Sequence, residues 1–227
     1  MNNPCTASIF MDNLSKETAL FQKRVIEKYN PSNVFHYQVL SQVPHGYTMD
    51  KLIDMFRERG HDAILFLDID CVPVNKCAID YMFKQAYAGK LIGDAQRSNH
   101  IENNQHVFAG AHNVGFTLET YDKMGKPSFI PTHRGDVAEE LTYKAEESNI
   151  EVELLMPLRY DAPPIRMQWE TETEPFWRLA DGMPHFGIGT TYGLDDGTEL
   201  FWHCWQSFHP GQQERFHNKC KELLGEK

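Results

Sequence analysis

Ala63-Ile64-Leu65-Phe66-Leu67 is an unbroken apolar run, and Asp68-Ile69-Asp70 follows it directly. A strand with one solvated face alternates apolar and polar residues; a strand covered on both faces does not. The run therefore reads as a central strand of a sheet that lies between helices. The neighbouring segments agree. Residues 7–11 form a second short apolar run that closes on Asp12-Asn13. Residues 14–29 carry Leu20, Phe21, Val25 and Ile26 near helical spacing and stop at Asn30-Pro31. Residues 34–40 read as a strand. Residues 48–59 read as a helix with Met49, Leu52, Ile53 and Phe56 on one face and Gly60 at its end. Residues 78–88 read as a helix, and residues 90–93 as the entry to the next strand. Strand–helix alternation of this kind predicts an α/β fold: a Rossmann-type α/β/α sandwich with a mostly parallel central sheet.

From about residue 161 the periodicity weakens. Pro163-Pro164, Gly182, Pro184, Gly187, Gly189, Gly193 and Gly197 punctuate the chain. Loops are expected there, followed by a strand over 200–202 and a helix over 212–224. Trp169, Phe176, Trp177 and Phe186 give this irregular C-terminal region residues to bury, so it reads as part of one domain spanning 1–227. A chain of 227 residues is long enough for one full core.

Composition narrows the function classes. Hydrophobic residues at 41% and aromatics at 12% exclude a disordered chain. Lys+Arg is 22 and Asp+Glu is 32, a net charge of −10. That excludes a broadly basic surface that holds nucleic acid by counterion release, and leaves room only for a local basic groove. No run reaches the roughly 18 apolar residues that a membrane span needs. The opening Met1-Asn2-Asn3-Pro4-Cys5-Thr6 carries no signal-peptide pattern. Cys5, Cys71, Cys77, Cys204 and Cys220 are odd in number and lack a Cys-x-x-Cys pair. The expected setting is a reducing cytoplasm, a host's if the chain is viral.

Asp68 and Asp70 stand where the central strand ends, and ligands of open α/β sheets gather at the carboxyl ends of strands. Two carboxylates there can hold Mg²⁺ or Mn²⁺ and leave positions for phosphate oxygens. Aspartates also end strands for no reason but the turn, and Pro73 and Asn75 favour a turn here. The buried run before them tips the reading toward metal.

Residues 64–73, Ile-Leu-Phe-Leu-Asp-Ile-Asp-Cys-Val-Pro, resemble the strand and Asp-x-Asp motif of glycosyltransferases with the GT-A fold. The order of elements is similar over residues 7–205. The resemblance implies a divalent metal, Mn²⁺ or Mg²⁺, held by Asp68 and Asp70 against the diphosphate of a nucleotide-sugar, UDP-linked by expectation. It also implies that His203, in Trp202-His203, completes the metal site. Imidazole with two carboxylates suits Mn²⁺, although a lone His between large apolar residues is commonly a core residue. About 1–130 would be the nucleotide-sugar-binding half, and about 131–227 the acceptor-side half that completes the metal site. Asp12 and Asn13 would lie near the nucleobase and ribose. Arg97 is placed to neutralise phosphate or pair with an acid. Gly110 and Ala111 are small enough for a sugar to approach the backbone, or for a strand to pack tightly.

Residues 134–141 read as a helix start that presents Asp136, Glu139 and Glu140 at i, i+3 and i+4. One of these acids can take a proton from an acceptor hydroxyl. Equally, Asp136 can cap the helix with Glu139 in a capping box, and Glu140 can pair with Lys144. The GT-A resemblance places an acidic element at this point. Here Gly135, not Glu, precedes Asp136, so the base stays open among the three acids. Residues 183–191, with His185, Gly187 and Gly189, read as a lid or phosphate loop or as a plain turn. Trp169, Glu170, Trp177 and Arg178 can stack on and orient a sugar or base, or simply pack. His203, Cys204, His209, His217 and Cys220 offer zinc ligands, but at no familiar spacing.

The expected activity is metal-dependent transfer of a sugar, hexosyl or pentosyl, from a nucleotide-sugar to a hydroxyl. The acceptor could be a glycan, a small molecule or a modified pyrimidine in viral DNA. The last would need Lys84, Lys90, Arg97, Arg134 and Arg166 on one face. The rivals are a sugar nucleotidyltransferase, disfavoured because residues 11–16 lack glycine, and a non-catalytic carbohydrate-binding protein.

Overall fold

The structure is a computed structural model that describes residues 2–11, 16–98, 105–163, 179 and 183–226. Asp12, Asn13, Arg166, Trp169, Glu170, Trp177 and Arg178 lie outside the described residues. In chain order the elements are β1 (Pro4–Met11), α1 (Lys16–Tyr29), β2 (Phe35–Ser41), α2 (His45–Glu58), β3 (Ala63–Asp68) and β4 (Cys71–Pro73). Then come α3 (Ala78–Tyr87), β5 (Leu91–Arg97), β6 (Val107–Thr117), α4 (Leu118–Lys123), α5 (Glu139–Glu147) and β7 (Val152–Arg159). β8 (Ile188–Gly193), β9 (Glu199–Cys204) and α6 (Gln212–Leu224) complete the set.

One nine-stranded sheet runs β2-β1-β3-β6-β5-β7-β8-β9-β4. β1 is parallel to β2 and β3, and β5 is parallel to β7. β6 lies antiparallel between β3 and β5. β8, β9 and β4 extend the sheet antiparallel. The two faces of β3 explain its unbroken apolar run. Ile64 and Phe66 pack with Met49, Leu52, Ile53 and Phe56 of α2 and with Leu141 and Ala145 of α5. Ala63, Leu65 and Leu67 pack on the other face, with Ile26 of α1 and Ala78, Ile79, Met82 and Phe83 of α3. Each large side chain buried this way contributes roughly 1.5–3 kcal/mol. The result is the expected α/β/α layering around one sheet.

α2 begins at His45, ahead of the expected residue 48. Pro44 precedes it at φ −51°, ψ 146°, and supplies the turn into the helix. α5 begins at Glu139, so Asp136 precedes the helix, and Ala138 at φ 64° is the residue before its first turn. The expected N-cap at Asp136 is therefore corrected: the left-handed Ala138 bends the chain in between. Gly187 directly precedes β8 and Gly189 lies within it. The Gly187 N–H donates to Thr190 Oγ1, and the chain enters β8, which is buried throughout. Among the described residues, no helix is long and apolar enough to cross a membrane.

Candidate metal centre and adjoining cavity

Asp68 is the last residue of β3, and Ile69-Asp70 turns the chain into β4. α1 holds this turn from below. The buried Gln22 donates through Nε2 to the Asp68 carbonyl at 2.6 Å and the Cys71 carbonyl at 3.0 Å. The Gln22 amide is in turn met by Gln38 Nε2, 3.3 Å from Gln22 Oε1. β4 pairs with β9 so that Cys71 stands opposite His203, and the Cys204 N–H donates to the Asp70 carbonyl at 3.0 Å. This register brings His203 Nε2 to 3.2 Å from Asp70 Oδ1.

Asp68, Asp70 and His203 each offer a ligand atom, all within 4.8 Å of one another, and they are the cluster able to hold a metal ion among the described residues. The side chains of Asp70 and His203 are nearly buried, while that of Asp68 is 28% exposed. Asp68 Oδ1 and His203 Nδ1 are buried without a hydrogen-bond partner. Two carboxylates and an imidazole with such orphaned atoms fit a hard divalent ion of the Mn²⁺ or Mg²⁺ kind. Burial pushes the Asp68 carboxyl above its usual range; His45 opposes the shift, Asp70 adds to it, and His203 opposes it. His45 Nδ1, on the first residue of α2, lies 3.4 Å from Asp68 Oδ1.

The rings behind the centre form a stack. His112 lies on His203 with centroids 4.3 Å apart and planes 10° from parallel. Trp205 closes on both, at 4.7 Å from His112 and 4.4 Å from His203. Its Nε1–H donates to the Tyr192 hydroxyl at 3.1 Å. Burial drives the His112 imidazole well below its usual pKa, with His203 adding to the shift, and burial drives Asp94 well above its own.

A cavity of about 200 Å³ opens beside Asp68. Its walls are His45, Asp68, Gln96, Ala111, His112, Asp136, Val137 and Trp205. The β5–β6 pairing explains the wall from β6. Gly93 pairs with Val114 and Ala95 with Ala109, so Asp94 alone stands against the four residues Gly110–Asn113, an irregular bulge. Such bulges re-aim side chains next to sites.

The predicted site residues divide accordingly. Asp68, Asp136 and Ala111 line the cavity; Gly110 does not, and packs against two of its wall residues, His112 and Gln96. Asp136 Oδ1 accepts the Val137 N–H at 2.7 Å. Glu139 is fully buried and points elsewhere. It accepts from Ser98 Oγ (2.9 Å), from the Asp136 N–H (2.8 Å) and from His106 Nδ1 (2.6 Å). Glu140 accepts Arg134 Nε–H at 3.0 Å. Neither of these two acids lines the cavity, and neither does Arg97, buried at the end of β5. Lys90 is held between Glu151 and Glu153, and Arg134 between Glu140 and Glu147, so acids compensate both charges. Of the zinc candidates, His217 bonds Thr18 Oγ1 at 2.9 Å and His203 turns to Asp70.

His45, Gln96, His112 and Trp205 are wall residues that the sequence reading did not single out. His45 carried a faint signal, as a histidine next to Pro44 at a helix start. His112 and Trp205 are placed by the bulge and by the end of β9, which no local pattern announces.

No protein-family model and no curated protein matches the sequence. Several solved structures are similar in part. The catalytic domain of Drosophila β1,4-galactosyltransferase 7, in complex with xylobiose, is 14% identical at a TM-score of 0.47; the match covers 68% of this chain and 65% of that one. A197 from STIV is 14% identical at 0.43, covering 67% and 80%. A cytidylyltransferase from Leptospira borgpetersenii is 14% identical at 0.42, covering 68% and 76%. Likenesses this partial carry no argument about the activity, which rests on the site itself.

Proposed function

We propose that the chain is a metal-dependent glycosyltransferase of the GT-A kind, which moves a sugar from a nucleotide-sugar, UDP-linked in the first instance, to a hydroxyl acceptor. The observation that carries this reading is the Asp68–Asp70–His203 cluster at the end of a buried strand, beside a cavity that also holds Asp136. Asp68, Asp70 and His203 would hold Mn²⁺ or Mg²⁺, which neutralises negative charge on a departing diphosphate. The small residues of the β6 bulge admit the sugar. If the anomeric centre inverts, Asp136 takes the proton from the acceptor hydroxyl; the Val137 N–H fixes its carboxylate for this. If the centre is retained, the same carboxylate stabilises positive charge on the sugar. Glu139 holds the Asp136 backbone in place and does not reach the substrate.

The test is incubation with Mn²⁺ and a panel of nucleotide-sugars, with water and simple glycans as acceptors. Release of a free nucleoside diphosphate supports the reading. Nucleotide-sugar and pyrophosphate formed in a parallel incubation with nucleoside triphosphates and sugar 1-phosphates make the chain a nucleotidyltransferase, and binding without product makes it a carbohydrate-binding protein; either result overturns the reading.

A further inference from the structure

The β6 bulge creates a pair of polar groups that the metal centre does not use. Asp94, alone opposite the bulge, is fully buried, and its Oδ1 accepts the Asn113 amide at 2.8 Å. Its Oδ2 lies 3.4 Å from His112 Nε2. That oxygen and both His112 nitrogens lack a hydrogen-bond partner. His112 is only 2% exposed, yet it lines the cavity with Gln96, Asp68 and Asp136. A Cβ at Gly110 would lie 2.6 Å from His112 Nδ1 and 2.7 Å from Gln96 Oε1. The missing side chain at Gly110 is therefore what lets the His112 ring and the Gln96 amide sit this close to the β6 backbone at the cavity wall.

Buried polar atoms without partners are rare because they are costly, and a ligand that supplies the partners removes the cost. The wall around them is an indole face with a few convergent donors and acceptors. That lining suits a ring whose carbons pack on Trp205 and whose hydroxyl meets an imidazole edge. We propose that His112, oriented by Asp94, hydrogen-bonds through Nδ1 to a hydroxyl of the transferred sugar and so selects which sugar the enzyme takes. This rests on the glycosyltransferase reading above. Asp94 acts through His112 and is a positioning residue.

His112→Phe is the informative variant, because it keeps a flat ring against His203 and Trp205 and removes both nitrogens. Binding is measured by calorimetry for Mn²⁺, for UDP with Mn²⁺, and for UDP-glucose, UDP-galactose and UDP-N-acetylglucosamine with Mn²⁺. For the sugar that the wild type prefers, His112→Phe loses about tenfold in affinity, the scale of one such hydrogen bond. Its affinities for Mn²⁺ and UDP stay within twofold. Singly deoxygenated analogues of that sugar give the matching cycle: one of them costs the wild type about tenfold and the variant nothing. If the variant keeps the sugar preference, or loses UDP and nucleotide-sugar by the same factor, the assignment is wrong. A wild type that binds no UDP with Mn²⁺ instead overturns the glycosyltransferase reading beneath it. Should His112→Phe not fold, the near-isosteric Asp94→Asn is read in the same way.

Discussion

Cys71 of β4 stands directly opposite His203 of β9, and this one pairing brings the Asp70 carboxylate to 3.2 Å from an imidazole 133 residues away in the chain. The metal centre is thus a product of sheet register. A slip of β9 by one residue would turn His203 to the other face. Asp70→Asn keeps the shape of the turn and removes one of the two anions. It is expected to abolish turnover and to weaken Mn²⁺ binding by a hundredfold or more, with the urea midpoint nearly unchanged. An active Asn variant would remove Asp70 from the metal site.

Gln22 supports the same turn from α1. Its amide satisfies two carbonyls that flank Asp70, and no metal ligand is altered when it is replaced. Gln22→Leu fills the space but leaves both carbonyls without that donor. The expected cost is about 2–4 kcal/mol in urea unfolding. Mn²⁺ affinity is expected to fall about tenfold, as when outer supports of metal ligands are removed. Lost stability with unchanged Mn²⁺ affinity would make Gln22 a fold residue alone.

The layers and the carboxylate pair were legible because each is written locally. Apolar residues on both faces of β3 leave no alternation, and an Asp-x-Asp follows in the next three positions. β7 and β8 were not legible: β8 reads Ile-Gly-Thr-Thr-Tyr-Gly, and its glycines and threonines are buried by neighbouring strands, which a local window does not contain. The acids at 136–140 were legible as a cluster but not as separate environments. Burial of Glu139 depends on Ser98, just past the end of β5, and His106, just before β6. His112 was hidden because a bulge, not a period, aims it.

Asp136 and Glu139 separate cleanly by mutation. Asp136 lines the cavity, so Asp136→Asn is expected to lose most turnover while Mn²⁺ affinity stays within twofold. Glu139 accepts three hydrogen bonds in the interior, so Glu139→Gln is expected to cost about 1–3 kcal/mol of stability. A Glu139→Gln protein of native stability with no turnover would reverse the two roles.

His36 ties β2 to β1 through Thr6 Oγ1 at 2.9 Å, and its pKa is lowered to about 4, chiefly by burial and secondarily by Lys23. The unfolded chain therefore binds a proton near pH 6.5 that the folded chain refuses until about pH 4. Stability contributed by neutral His36 is fully present above 6.5, declines as pH falls through this window, and levels off below it. The decline is at most about 3 kcal/mol. Urea unfolding at pH 7 and pH 5 should show a steeper loss for the wild type than for His36→Gln. Equal losses would mean that His36 titrates as it does in water.

Asp68 makes Mn²⁺ binding itself depend on pH. Burial raises its pKa, against the opposing charge of His45, so a proton competes with the metal at a pH above the ordinary carboxylate range. Metal binding must displace that proton. Mn²⁺ affinity is therefore expected to be constant at high pH and to fall as pH drops through the raised pKa, by up to tenfold per pH unit. The onset lies above pH 4, near which a water-exposed aspartate would titrate. Titration of Mn²⁺ across pH 4 to 8 reads the effect directly, with His203→Ala as the control that takes the imidazole out of the ligand set. A profile that stays flat in that variant down to pH 4 would take Asp68 out of the ligand set and leave Asp70 to anchor the ion.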